Sequence, residues 1–379
     1  MNTSKALSPL KLGNGVQVAN RLMMSAMCDL GATADGQVTQ EEVDFMKTRA
    51  GFGGMIVTAG AYPQANGLGL PGQYSAARDS DIKGLSKLAA AMKSRGAKAI
   101  LQIGHAGREA AIPAQQGIPV LVPTKMDFPW INYPIEEMTN DDVNQLITDW
   151  GKATQRAIDA GFDGVEIHNC NHDLVQQFFS AFSNHRTDQW GGSFEKRCAL
   201  PLAILKETHR VIAASDKPDF IIGWRISPDE IHGENVGFTV DDMLKQTKLV
   251  LNEGIDYLNI SLTGSTYSYK SKANGYDQTY AQLFHAIMPD SVPLYIGSQI
   301  QTPADVEDAL TVADGVYMAR EALIDPEFTD KLKSGHANEI ITTMSEERIK
   351  QVHLPKALVK DYTTPGGLRE SIPLPGLTD

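Results

Sequence analysis

The feature that most constrains this chain is a short apolar run that recurs along its length and ends each time in small or polar residues. Eight such runs can be read: RLMMSA from Arg21, GMIVTA from Gly54, KAILQI from Lys98, GVEIH from Gly164, FIIGWRIS from Phe220, DYLNIS from Asp256, VPLYIG from Val292 and DGVYMA from Asp314. Several are apolar at nearly every position instead of alternating. Such continuity marks strands covered on both faces, as in a parallel sheet. Helical patterns lie between the runs. Thr239 is a cap residue followed by early acids, its apolar positions Val240, Met243, Thr247 and Val250 step by three or four, and Gly254 closes the segment. Thr302-Pro303-Ala304-Asp305 places a cap, then a first-turn proline, then an acid. Further helices are expected over 39–50, 82–94, 139–160, 195–213 and 277–288.

Eight strands alternating with eight helical segments give the count of an α/β TIM (β/α)8 barrel; a doubly wound sheet stops at about five or six strands. The Asn14-Gly15 pair inside KLGNGVQV signals a hairpin, placed to cap the bottom of the barrel. The barrel is expected over 1–340. The segment 341–379 is read as a C-terminal extension that packs on the barrel or on a neighbouring subunit. Its Thr363-Thr-Pro-Gly-Gly and Ile372-Pro-Leu-Pro-Gly stretches read as extended or loop. With 379 residues, 42% of them apolar, a core of this size is readily filled.

Composition excludes some function classes. The net charge is −12, with no Lys/Arg block, which disfavours non-specific binding of nucleic acid or anionic membrane. The longest apolar stretches are strand-sized, far below the roughly 18 residues of a membrane span. The first residues, MNTSKALSPLKLGNG, hold no apolar segment of signal-peptide type. Cys28, Cys170 and Cys198 form no CxxC spacing and no even framework, so a reducing, cytoplasmic setting is expected.

In a barrel of this kind chemistry sits where strands end and loops begin. The runs deliver there Ser25-Ala26-Met27-Cys28, then Thr58-Ala59-Gly60, then Gln102 and His105-Ala-Gly-Arg108, then His168-Asn-Cys-Asn171-His172-Asp173, Arg225, Ser261, Gly297-Ser298 and Ala319-Arg320. The last two pairs suit a phosphate: small residues let backbone amides approach an anion, and Arg320 can grip it bidentately. Against this stands an ion pair between Arg320 and Glu321. Gln102 and Arg225 sit on otherwise apolar strands, where each needs a partner. That partner is either a hydrogen bond within the barrel or the edge of an aromatic, anionic ligand. His168 and Asn171 can both donate to a carbonyl or phenolate oxygen. A metal set of His168, Cys170 and His172 lacks a completing carboxylate, and no metal is expected. Gly67-Leu-Gly69-Leu-Pro-Gly72 matches GxGxxG, but follows no strand and opens no helix, so it is no dinucleotide site.

The motifs Asn20-Arg21…Ser25-Ala-Met-Cys28, Gln102-Ile-Gly-His-Ala-Gly-Arg108, Gly161-Phe-Asp-Gly-Val-Glu-Ile-His168 and Phe179-Ser-Ala-Phe-Ser-Asn-His-Arg-Thr-Asp-Gln-Trp-Gly-Gly-Ser193 together resemble the Old Yellow Enzyme family of FMN-dependent oxidoreductases. Cys28 makes the chain similar to the bacterial subclass with a cysteine beside the flavin. The resemblance implies one non-covalent FMN at the mouth of the barrel. Ser25, Ala26, Met27, Cys28 and Ala59 would line it, Gln102 would bind its pyrimidine edge and Arg225 its N1/O2 end. Gly297, Ser298, Ala319 and Arg320 would hold its phosphate. His168 and Asn171 would bind the oxygen of an acceptor. The implied reaction is ping-pong: NADH or NADPH delivers hydride to the flavin, which passes it to a small electron-poor acceptor such as an enone, quinone or nitro compound. A homodimer or homotetramer is also implied. The alternatives are a non-redox phosphate-binding barrel of aldolase or isomerase type and a catalytically silent flavin protein.

One departure stands out. After the His/Asn pair the family usually has Gly-Tyr, the tyrosine being the proton donor, whereas this chain has His172-Asp173. Asp173 thus replaces the tyrosine as candidate proton donor; an exposed aspartate titrates near 4 and is a poor acid at neutral pH, so it could serve only if burial raised its pKa, with water or His172 as substitutes. Strand one departs as well, with Ala26 for a common proline and Asp29-Leu30 after Cys28.

Overall fold

A computed structural model describes residues 5–262 and 268–377 of the chain. Residues 1–4 and 378–379, the outer ends of the two expected segments and the start of the leader reading, lie outside the described residues.

The eight apolar runs form eight strands: β1 (Leu22–Met24), β2 (Met55–Val57), β3 (Lys98–Ile103), β4 (Gly164–Asn169), β5 (Ile221–Ile226), β6 (Tyr257–Ile260), β7 (Leu294–Ile296) and β8 (Gly315–Met318). Each pairs in parallel with its neighbour in the chain, and β8 returns to β1 through Val316 opposite Leu22 and Met318 opposite Met24, closing the barrel. The expected (β/α)8 architecture is therefore present. Alternate side chains explain the unbroken apolarity. Met23, Met55, Val57, Ile100, Ile221, Tyr257, Tyr295 and Tyr317 fill the interior, while Leu22, Met24, Ile56, Leu101, Val165, Trp224 and Leu258 face the helices. Interior volume is shared between adjacent strands. A Cβ on Gly223 would stand 2.2 Å from the Tyr257 ring, and one on Gly315 2.3 Å from the Tyr295 ring, so glycine on one strand makes room for tyrosine on the next.

The hairpin around Asn14-Gly15 pairs Leu10 with Val18 and closes the bottom. The Gly13 amide donates to Asp256 O at 3.0 Å and Asn14 Nδ2 to Asp219 O at 3.2 Å, both acceptors preceding a strand. Leu10, Leu12 and Val18 join the interior cluster.

The barrel helices are α1 (Gln40–Arg49), α2 (Ile82–Lys93), α3 (Asn140–Asp159), α4 (Ala199–Ala213), α5 (Val240–Glu253), α6 (Tyr280–His285), α7 (Pro303–Ala309) and α8 (Phe328–Ser334). Threonine caps start α1, α3, α5 and α7, and at Thr139, Thr239 and Thr302 an aspartate three residues on completes the box. The expected helix 195–213 is split at Cys198 into Phe194–Arg197 and α4. The expected 277–288 shortens to α6, because Thr279 takes the cap position. Sequence reading missed a hairpin of Glu230–His232 with Asn235–Phe238 after β5.

Beyond the barrel, three short helices (Glu346–Gln351, Lys356–Thr363 and Leu368–Ser371) replace part of the expected loop. They lie against the chain's own barrel. Arg49 Nη2 donates to Val352 O at 2.9 Å, Arg348 Nη2 meets Asp325 at 3.3 Å, and Arg320 Nη1 reaches Pro373 O at 3.5 Å. Among the described residues no helix is long and apolar enough to cross a membrane.

Candidate active site at the barrel mouth

Because all eight strands are parallel, their C-terminal ends share one rim. Register sets the neighbours there: His168 of β4 stands opposite Arg225 of β5, and Arg225 opposite Asn259 of β6. From these positions one polar chain spans the rim. Asp173 Oδ2 lies 2.8 Å from His168 Nδ1, and the Asn171 amide lies 3.3 Å from His168 Nε2. The Ser261 hydroxyl donates to Asn171 Oδ1 at 3.1 Å and accepts from Arg225 Nη2 at 3.2 Å. Arg225 Nη1 ends the chain on Ala26 O at 3.3 Å, at the end of β1. Local backbone makes this possible. Asn171 and His172 both have positive φ, +56° and +65°, so the chain turns sharply after β4 and brings Asn171 and Asp173 back onto His168.

The electrostatics follow from burial and partners. Burial opposes charge on His168, but the Cys170 sulfur and the Asp173 carboxylate outweigh it and raise the ring to about 10. His168 is therefore an imidazolium at neutral pH. Asp173, which stands where the family has its tyrosine, faces this ring. Cys28 is half-buried; desolvation first, then Asp29 and Asp173, push its thiol up to about 12, so it stays protonated. Arg225 is buried and makes no ion pair among the described residues, and its Nε has no partner. The Ser25 hydroxyl is likewise buried and unpartnered. A buried guanidinium with no direct ion-pair partner can take an anion.

Gln102 has a partner within the barrel. Its Nε2 donates to Glu166 Oε1 at 2.7 Å, and Glu166 Oε2 accepts from Tyr257 and Asn259, each at 3.1 Å. Gln102 is thus a barrel hydrogen bonder. Its Oε1 lies toward Gly60, where a Cβ would approach to 3.4 Å.

At β7 and β8 a Cβ on Gly297 would meet the Tyr317 ring at 2.3 Å, so only glycine fits. Ser298 follows with φ +78°, its hydroxyl bonded to Leu262 O. Ala319 and Arg320 are half-buried, and Arg320 makes no ion pair with Glu321 or any other described acid. Glu321 is buried, and desolvation pushes it up to about 8, so it is protonated at neutral pH. Arg320 is left without an acidic partner among the described residues. An unpaired buried Arg225, an unpaired Arg320 and a glycine-bordered cradle fit the phosphate and anionic ring edge of FMN.

Sequence reading missed Glu166 and Tyr317, and placed Ser261 at its strand end without giving it a role. Only Glu166 carried a signal, as a charge inside the apolar run GVEIH. The GxGxxG stretch opens no helix, and Gly72 there sits at φ +68° against Leu30.

The model of the NADH:flavin oxidoreductase / NADH oxidase family matches residues 5–339. A probable NADH-dependent flavin oxidoreductase of Bacillus subtilis, YqiG, is 36% identical over 92% of this chain and 93% of its own length. A NADH:acrylate oxidoreductase of Vibrio harveyi is 35% identical over 92% of this chain, which spans only 35% of that protein. Among solved structures, the old yellow enzyme homologue from Zymomonas mobilis superposes with a TM-score of 0.75 at 22% identity, over 91% of this chain and 96% of that one.

Proposed function

Since the chain belongs to the NADH:flavin oxidoreductase / NADH oxidase family, and so is an FMN-dependent NAD(P)H oxidoreductase of Old Yellow Enzyme type, we propose that it reduces small electron-poor acceptors whose oxygen is held by His168 and Asn171. Bound FMN supplies the hydride exchange between NAD(P)H and the acceptor. The residues around it have separate tasks. Gly297, Ser298, Ala319 and Arg320 would hold its phosphate. Arg225 would place fixed positive charge at the ring edge, and Gln102 would meet the opposite edge. Ser25, Ala26, Met27, Cys28 and Ala59 would line the ring.

The observation that carries the acceptor reading is the continuous polar chain from Asp173 through His168, Asn171 and Ser261 to Arg225. It holds two donors side by side and keeps one of them charged. An imidazolium binds and polarises an oxygen that gains negative charge more strongly than a neutral donor does. In this reading Asp173 is the positioning residue for His168 and does not deliver the proton itself. Enones, quinones and nitro compounds all present such an oxygen. The charge on His168 also favours an unsaturated carboxylate, the class named for the Vibrio harveyi relative.

The same proposal places the enzyme in the cytoplasm, supported by three free cysteines, as a homodimer or homotetramer. It treats the described part of 1–340 as the catalytic unit and that of 341–379 as an extension against it. The test is anaerobic reduction by NADH or NADPH, followed by reoxidation with a panel of enones, quinones, nitroarenes and unsaturated acids. Rapid flavin reduction and reoxidation by at least one class is expected. A flavin that NAD(P)H bleaches but only dioxygen reoxidises overturns the acceptor reading.

A further inference from the structure

The buried carboxylate of Glu230 sits outside the polar chain just described. Glu230 is 2% exposed. Among the described residues no lysine or arginine pairs with it. The cationic groups that approach are imidazoles: His232 Nε2 at 3.6 Å from Oε1 and His172 Nδ1 at 4.0 Å from Oε2. Buried carboxylates are paired or bind metal. We propose that His172, Glu230 and His232 form a site for a divalent transition-metal ion of the zinc class on the rim of the mouth.

The geometry has the required size. One ligand atom from each residue lies within 4.8 Å of the others. A tetrahedral zinc set, with bonds of about 2.0–2.2 Å, needs ligand atoms roughly 3.4 Å apart. The closing movement falls to the two imidazoles, whose side chains are 43% and 42% exposed and face each other at 5.2 Å. Two histidines and a carboxylate leave a fourth position for water or an anion.

The surroundings support these three residues as a set. Glu230 and His232 lie two apart on one strand, so both side chains leave the same face. The opposite strand is bulged, and a Cβ on its Gly237 would stand 2.6 Å from Glu230 Cδ. That glycine clears room for the carboxylate. Ser180 Oγ donates to Oε1 at 2.9 Å and Gln176 Nε2 to Oε2 at 2.8 Å, which orients the carboxylate and leaves each oxygen a free lone pair. His172 occupies a position of φ +65° that favours glycine. Its backbone is pinned there by Gln176 Oε1 on its amide at 3.2 Å and by Gln177 Nε2 on its carbonyl at 2.6 Å. The nearby cation, Arg108, is engaged by Glu109 at 3.1 Å and Ser183 at 2.6 Å. Gln176 Nε2 also lies 3.2 Å from His172 Nδ1, and an entering ion displaces that one contact. This proposal departs from the expectation of no metal. The carboxylate absent around His168, Cys170 and His172 in sequence is supplied by Glu230 across the fold, and His168 is taken by Asp173.

The test uses the tag-free holoenzyme, stripped with chelator and titrated calorimetrically with Zn²⁺, then with Co²⁺ read by its visible bands to the red of the flavin. One ion per chain is expected, with cobalt bands of tetrahedral intensity. His232→Ala and His172→Gly should each weaken Zn²⁺ binding at least about tenfold, the scale at which even indirect ligand support matters. Unchanged flavin spectra show that both variants fold, and glycine suits the backbone at 172. Absence of saturable Zn²⁺ binding overturns the proposal. So does binding that both variants leave unchanged, which means an adventitious ion only.

Discussion

His168 and Asp173 form a carboxylate–imidazole contact of 2.8 Å at the mouth of the barrel, on opposite sides of a turn whose middle residues adopt positive φ. The ring is held charged to about pH 10. Removing the carboxylate removes much of that support. In Asp173→Asn the ring should lose its proton as pH rises through the neutral range. The acceptor half-reaction should then fall by about 10²-fold at pH 8, the scale of a lost charged donor, with a smaller loss at pH 5.5. Stopped-flow reoxidation across pH reads this directly; a flat ratio of wild type to variant over that range would remove His168 charge from the mechanism.

The same pair sets a stability dependence. A histidine whose folded pKa is raised binds its proton more tightly in the folded chain. Its contribution is complete below about 6.5, the unfolded value, and is lost as pH rises through about 10. Thermal melting of wild type and Asp173→Asn should therefore differ most below neutral pH and converge above pH 10. A difference that grows with alkalinity is the opposite sign and rejects the assignment.

Arg320 and Arg225 should separate two halves of cofactor binding. Arg320→Ala should weaken FMN by about 10- to 100-fold, the worth of a charge-assisted phosphate bond, and leave riboflavin binding nearly unchanged. Arg225→Gln should weaken both ligands. Fluorescence titration of the apoprotein with each flavin distinguishes the patterns; equal losses for FMN and riboflavin in Arg320→Ala would take that residue away from the phosphate.

A third group behind the mouth gives a second pH signature. Tyr74 Oη lies against both Asp29, at 2.5 Å, and Glu42. One hydroxyl has one proton, so at least one carboxyl must be protonated to complete the cluster. Burial raises both carboxyls, and the Asp29 charge raises Glu42 further. Acids with raised folded pKa values stabilise fully below their unfolded values, near 4, and lose that contribution as pH rises. Glu42→Gln should flatten the fall of melting temperature between pH 5 and 9, because an amide needs no proton from solvent. An unchanged slope would show that the cluster does not titrate. The cluster also accounts for Asp29, which the family pattern left unexplained.

The sequence on its own determined the barrel. Its eight apolar runs, the threonine caps at 239 and 302 and the Asn14-Gly15 turn depend on local chemistry: side-chain period, capping hydrogen bonds and backbone freedom. The strand-end residues were legible for the same reason, since a closed parallel barrel delivers every strand end to one rim. Tertiary structure alone decided who touches whom across that rim. Asp173 lies against His168 because a positive-φ turn folds it back. Gln102 was claimed by Glu166, a neighbour only through strand register. Glu42 met Asp29 and Tyr74, and Glu230 met His172, across separations that no local pattern encodes. Charge and protonation of these groups follow from burial and from partners, and both exist only once the chain has closed.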